Sequence, residues 1–313
     1  MKRSTFTFTD SDGISIFVYK WEPEIRPKAV IQIVHGLAEH AKRYSRAAET
    51  FCNEGYICFA NDQRGHGLTA GDLTEATLEG KAGVLEPNGW NGVVNDVHQL
   101  SGIIKKEYPD IPLFLLGHSW GAMVSQDYIQ EWGNEINGCI LSGTSGDYTA
   151  NNDMENFVNR EIKEKGLNTP NQELNDLIFK VNNMPWENDE GATGFEWLSR
   201  DKKEVQKYVD DPWCGFIAPA SLWLEFFKGL EKIYDTENEQ RIPKQLPIYF
   251  IAGALDPVGN KTIGLISMIK RLETYGIKDV SHKFYKNARH EPFNEINREV
   301  VVKDLINWLD SHL

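Results

Sequence analysis

Ile111-Pro112-Leu113-Phe114-Leu115-Leu116-Gly117-His118-Ser119-Trp120-Gly121-Ala122-Met123-Val124-Ser125-Gln126-Asp127-Tyr128-Ile129 decides the fold. Its first six residues read as a buried strand, and residues 122–129 carry helical periodicity. Between the two the chain must turn sharply. Glycines two before and two after Ser119 remove the side chains that would clash in that turn. In this setting G-x-S-x-G is a nucleophile elbow, a strained strand-to-helix turn that lifts Oγ above the sheet edge at a helix N-terminus. The bare pentapeptide is common by chance. The strand before it and the helix after it make Ser119 a candidate nucleophile.

Working outward, the same alternation recurs. Thr5–Thr9, Asp12-Gly13 and Ile14–Lys20 read as a hairpin. Ala29–Val34 is an apolar strand ending in His35-Gly36, followed by a helix from Arg43 to Glu54. The strand Tyr56–Ala60 ends in Asn61-Asp62-Gln63-Arg64-Gly65-His66-Gly67, and the helix Gly89–Tyr108 leads to the strand before Ser119. Ile136–Leu141, Ile248–Ala252 and His282–Tyr285 are further strands, and Lys261–Tyr275 and Arg298–Leu309 further helices. Such alternation with apolar strands predicts a mostly parallel, twisted α/β sheet flanked by helices. The regularity breaks over residues 146–240, a polar, Asn- and Glu-rich, helix-patterned segment. It is expected to form an inserted helical cap over the carboxyl ends of the strands, with residues 1–145 and 241–313 forming the core.

A serine hydroxyl is a poor nucleophile until an oriented base takes its proton. At an elbow of this kind the acid and then the base follow the serine in chain order. Asp256 follows the strand that ends near Ala252, and His290 follows the last strand. Either alone reads as a loop residue; together with Ser119, in the required order, they form a candidate triad. Acyl transfer also needs donors aimed at the tetrahedral oxyanion. The Trp120 amide qualifies because it follows the nucleophile, and Leu37 is the best placed in the loop after His35-Gly36.

The other histidines carry no metal spacing: His35, His40 and His66 read as structural, and no metal site is expected. His118 is read as a buttress of the elbow, its side chain pointing away from Ser119. From Phe216 to Tyr234 the apolar residues fall at helix spacing, with Pro219 in the first turn. Trp197, Trp213, Phe216, Trp223 and Phe227 are therefore candidate walls of an apolar cap cavity.

The 313 residues suffice for one large core or a core with an inserted unit, and the net charge of −13 argues against nucleic acid or an anionic membrane as partner. Four scattered cysteines (Cys52, Cys58, Cys139, Cys214) read as free thiols of a reducing compartment. The N-terminal stretch lacks a signal-like apolar core, and no run is long enough to cross a membrane. A cytoplasmic setting is expected.

Taken together, His35-Gly36-Leu37-Ala38-Glu39-His40 with Arg43-Tyr44, Asp62 to Gly67, the Gly117–Gly121 elbow, Asp256 and His290 resemble the monoacylglycerol lipase and lysophospholipase-like branch of the α/β-hydrolases. The stretch from Trp197-Leu198-Ser199-Arg200-Asp201 to Asp211-Pro212-Trp213-Cys214-Gly215 is similar to bacterial members. The apolar face from Phe216 to Tyr234 is read separately from this resemblance, as a cap helix packed on its neighbours or as a face for an acyl chain or transient lipid-surface contact. The resemblance implies an α/β-hydrolase fold and cofactor-free hydrolysis of small acyl esters or single-chain lipids. It carries over Ser119 as nucleophile, His290 as base and acid, Asp256 as its orienter, and the Leu37 and Trp120 amides as oxyanion donors. One departure stands out: these lipases usually have methionine at the position of Trp120. Prolyl iminopeptidases of the same fold tend to have Ser-Trp-Gly, but their His-Gly-Gly-Pro-Gly loop is absent here. A prolyl-type aminopeptidase or amidase is the alternative enzyme, and a ligand-binding protein on a hydrolase scaffold the alternative outside catalysis.

Overall fold

In the computed structural model, residues 1–71, 80–148 and 152–313 are described. Eight strands form one sheet in the order β1-β2-β4-β3-β5-β6-β7-β8. They are β1 Lys2–Thr9, β2 Ser15–Glu22, β3 Ala29–Val34, β4 Tyr56–Asn61, β5 Leu113–His118, β6 Gly138–Ser142, β7 Ile248–Gly253 and β8 Val280–Tyr285. The first two pair antiparallel and β2 pairs antiparallel with β4; every other neighbour is parallel. The expected hairpin and mostly parallel sheet are thus both present.

The strand runs look uniformly apolar because both faces of the sheet are covered. Side chains alternate in direction, so each run divides between two cores. Leu113 and Leu115 join Val30, Val34, Ile248 and Phe250 on one face. Phe114 and Leu116 join Ile31, Ile33, Tyr249 and Ile251 on the other. The first face is covered by α3 (Gly89–Glu107), α4 (Trp120–Trp132) and α10 (Ile263–Thr274). Helices α1 (Ser45–Asn53) and α11 (Arg298–Asp310) cover the second, and α2 is a single turn, Gly67–Ala70.

Between β6 and β7 lie α5 (Asn152–Lys165), α6 (Gln172–Asn183), α7 (Lys202–Asp210), α8 (Ala220–Ile233) and α9 (Thr236–Arg241). Here one expectation is corrected. The helix read from Phe216 begins only at Ala220, with Pro219 as its N-cap at φ −70°, ψ 159°. A proline ring disfavours helical backbone in the residue before it, so Phe216 stays outside the helix. No helix among the described residues is long and apolar enough to cross a membrane.

Candidate active site

The loops after β3, β5, β7 and β8 all leave the carboxyl edge of the sheet, and each brings one part of the site. Ser119 sits at φ 54°, ψ −122° between β5 and α4. A non-glycine residue held at such angles costs about 1–3 kcal/mol, and the surroundings hold it there. Its N–H donates to Ser142 O at 2.8 Å, and its carbonyl accepts from Ala122 N at 2.9 Å. Both elbow glycines are required by contact. A Cβ on Gly117 would lie 2.3 Å from Gly121 O, and one on Gly121 would lie 2.1 Å from Val34 O.

His290 Nδ1 meets both carboxylate oxygens of Asp256 at 3.0 Å. Asp256 is fully buried and is itself held by Val258 N–H, which donates to Oδ1 at 2.9 Å. Burial alone would push His290 down; the Asp256 charge and hydrogen bond overcome it and hold the imidazole above its ordinary value. Ser119 and His290 line one cavity of about 230 Å³. With Nδ1 engaged by Asp256, Nε2 is the ring nitrogen left for a proton from the serine.

The loop after β3 is held by two histidines. Gln63 N–H donates to His35 Nε2 at 3.0 Å, so the proton of His35 sits on Nδ1 and is donated to Gly36 O at 2.8 Å. In the same way Ala38 N–H donates to His66 Nε2 at 3.2 Å, and His66 Nδ1–H donates to Arg64 O at 2.8 Å. Burial drives His35 well below its usual value and His66 to about 4, which keeps both neutral and able to accept. Gly36 N–H donates to Glu39 Oε1 at 2.5 Å. The amides on either side of Leu37 are therefore both engaged, and Ala38 takes φ 52°. This fixes the Leu37 peptide beside the elbow. The Trp120 N–H is at the first position of α4, where no intrahelical acceptor exists.

The neutrality of His66 has a measurable sign. Its imidazole titrates near 6.5 in the unfolded chain and near 4 when folded. Between those values the unfolded chain binds more protons, so stability present above pH 6.5 is lost as the pH falls toward 4. His66→Gln, which keeps an acceptor, should flatten this part of the wild-type loss in melting temperature. Parallel melting-temperature curves for the two proteins over that interval would count against a neutral His66.

Beneath the loop lies a buried charge cluster. Arg43 donates Nη1 and Nη2 to Glu291 at 2.7 and 2.8 Å, and its Nη1 also pairs closely with Glu39. Tyr44 OH donates to Glu39 Oε1 at 2.8 Å, and the guanidinium lies 4.8 Å over the Tyr208 ring. In the sequence Glu39 and Arg43 appear only as part of a motif. Nothing in it signals that Glu291, nearly 250 residues on, completes the cluster.

The cavity takes much of its lining from the segment between β6 and β7. Its apolar walls include Met123, Phe179, Trp197, Trp223, Phe226 and Leu230, with Leu37 and Trp120 at the elbow. Of the five candidate walls, Trp197 and Trp223 line this cavity. Trp213, Phe216 and Phe227 do not line it among the described residues: Trp213 packs edge-on to His40, Phe216 edge-on to His66, and Phe227 stacks on Tyr148. Phe226 was missed, although Trp223, Phe226 and Leu230 share one helix face at i, i+3 and i+7. Trp120 is buried, donates Nε1–H to Gln63 at 2.9 Å and stacks on Phe226 at 5.7 Å. His118 lies between the elbow and the cavity. Its Nδ1 lies 3.2 Å from Ser142 Oγ, yet its ring also lines the cavity, 4.8 Å from that of His290.

One group with metal-ligand atoms, His40, Asp211 and Cys214, occurs among the described residues, within 4.8 Å of one another. It lies off the cavity, and His40 Nε2 meets Asp211 Oδ2 at 2.9 Å as a hydrogen-bonded pair.

Known proteins resemble the chain along nearly its full length. The family model described as serine aminopeptidase, S33 matches residues 25–297. The chain is 26% identical over 320 residues to the monoacylglycerol lipase of Mycolicibacterium smegmatis, covering 99% of this chain and 98% of that protein. It is 28% identical over 298 residues to the monoglyceride lipase of Homo sapiens, covering 92% of this chain and 87% of that protein. The solved structure of a highly thermostable carboxyl esterase from Bacillus coagulans in complex with glycerol matches with a TM-score of 0.89 at 28% identity, covering 100% of this chain and 99% of that one. The fold is that of an α/β-hydrolase.

Proposed function

The chain belongs to the serine aminopeptidase S33 family, and on that premise we propose that it is a serine ester hydrolase of the monoacylglycerol-lipase type. Ser119 Oγ attacks the acyl carbonyl while His290 Nε2 takes its proton. Asp256 holds the imidazole in the right tautomer and stabilises the imidazolium. The Leu37 and Trp120 amides receive the charge that develops on the carbonyl oxygen. His290 then returns the proton to the departing glycerol oxygen, leaving an acyl-enzyme. In the second half a water gives its proton to His290 and attacks the acyl carbon. His290 then returns that proton to Ser119 Oγ as the acyl–Oγ bond breaks, releasing the fatty acid and free Ser119.

The observation that carries an ester over a peptide substrate is the state of the cavity's carboxylates. An aminopeptidase must hold a free substrate amine with an unpaired acid. Among the described lining residues the carboxylates are Glu39, Asp147 and Glu291. Glu39 and Glu291 are paired with Arg43, and Asp147 meets Arg271 at 2.6 Å. The remaining wall is aromatic and aliphatic, which suits an acyl chain.

Two assays on one preparation test this. A fluorophosphonate should label Ser119 stoichiometrically, and monoacylglycerols and p-nitrophenyl acyl esters should be turned over while proline amides are not. Turnover of proline amides ahead of every ester would overturn the substrate class. Absence of an adduct on folded protein would overturn the nucleophile.

A further inference from the structure

One stretch of the insertion is sewn to the loop that carries His290. His290 N–H donates to Trp197 O at 3.2 Å, and Glu291 N–H donates to Leu198 O at 2.8 Å. Arg289 Nη1 donates to Glu196 O at 2.6 Å, and its guanidinium lies 4.5 Å over the Trp186 ring. Ser199 Oγ donates to Asn294 O at 2.9 Å, Arg200 Nε donates to Glu295 at 2.9 Å, and Arg298 pairs with Asp201 at 2.8 Å. Main-chain bonds, an aromatic contact and ion pairs thus hold residues 196–201 along residues 289–298. A seam this dense behaves as part of the base's own loop.

The seam sets the Trp197 indole against the His290 imidazole, ring centroids 4.7 Å apart and planes 31° apart. Both side chains are buried, at 5% and 2% exposure. We propose that Trp197 is a positioning residue for the base: its indole face holds the His290 imidazole in register and stabilises the imidazolium that forms as Ser119 is deprotonated. A cation over an indole face is attracted by the ring quadrupole, most strongly where water is excluded. This rests on the assignment of His290 as base in the proposed function.

The other groups that face His290 are accounted for. Asp256 holds Nδ1 from the loop after β7. His118, from the end of β5, is pushed by burial to about 4 and is neutral, so it adds no competing cation. Glu291 on the same loop and Glu39 on the loop after β3 act from further off, both paired with Arg43. Trp197 is the insertion's contribution to this set.

The test reads His290 with and without an ester. The rate of Ser119 phosphonylation by a fluorophosphonate, and kcat/KM for a p-nitrophenyl ester, are followed against pH in wild type and variants. Trp197→Leu should move the acid limb of both profiles down by about one pH unit and lower the plateau about tenfold, the size of one buried cation–π contact. Trp197→Phe, which keeps an aromatic face, should restore most of both. Phe179→Leu changes a cavity wall whose ring lies 6.0 Å from that of Trp197. It should raise KM and leave the acid limb in place. Should Trp197→Leu not fold, Trp197→Met fills the space without a ring and gives the same reading. An acid limb in Trp197→Leu that coincides with wild type, with only KM raised, makes Trp197 a wall and overturns the proposal. Wild-type protein that takes up no fluorophosphonate overturns instead the assignment of Ser119 on which the proposal stands.

Discussion

Asp256→Asn lowers kcat by about ten-thousandfold, the loss seen when the triad aspartate of a serine protease is changed this way, while the protein stays folded. The substitution is isosteric and leaves an amide oxygen to accept from Val258 N–H, so the turn after β7 keeps its bond. What changes is the group presented to His290 Nδ1, which now meets two carboxylate oxygens at 3.0 Å. An amide NH2 in that place favours the tautomer with the proton on Nε2, which cannot accept from Ser119. The imidazolium also loses its counter-charge at a position where both side chains are buried. Assay with a p-nitrophenyl ester, alongside a melting curve, separates loss of chemistry from loss of fold. A folded variant within tenfold of wild type would mean that another carboxylate supports the base, and Glu291 or Glu39 would be next to test.

Arg43→Met costs about 3–5 kcal/mol of stability. Glu39 and Glu291, 2% and 5% exposed, lose their shared cation and are left as buried like charges. The protein's melting temperature should fall by on the order of 10 °C. The deficit comes from this uncompensated charge, so removing one of the two charges should relieve it. Glu291→Gln added to Arg43→Met should recover part of the loss. Activity falls too, because Glu39 holds the Gly36 amide and Glu291 adjoins His290. A loss below about 1 kcal/mol would place the cluster with exposed, solvent-screened pairs.

The parts of the site legible in the sequence are those written in short-range main-chain code. Gly117 and Gly121 announce the elbow because only a missing Cβ permits the approach of Val34 O and Gly121 O. Asp256 and His290 announce themselves by standing just after apolar strands, where a parallel sheet opens its edge. The pair Pro219 and Phe216 shows the limit of periodicity. The spacing from Phe216 onward is helical, yet the proline stops the helix at its own position and sends Phe216 toward His66. His118 shows a second limit. Adjacency to Ser119 suggested a ring turned away, but the approach of the β8 loop brings His290 beside it.

By itself, then, the sequence determined the sheet, its parallel core, the elbow at Ser119 and the chain order of the candidate acid and base, because period, glycine sterics and strand ends are local properties of the chain. Tertiary structure alone decided which of the candidate aromatic residues line the cavity and what packs around His290 besides Asp256. Rotation of α8 about its axis put Trp223, Phe226 and Leu230 on the cavity and turned Phe227 onto Tyr148. Packing between distant segments joined Glu39, Arg43 and Glu291 and laid Trp197 against His290. Contacts between residues so far apart in the chain leave no periodic trace in it, since each is chosen by the shape of the folded molecule.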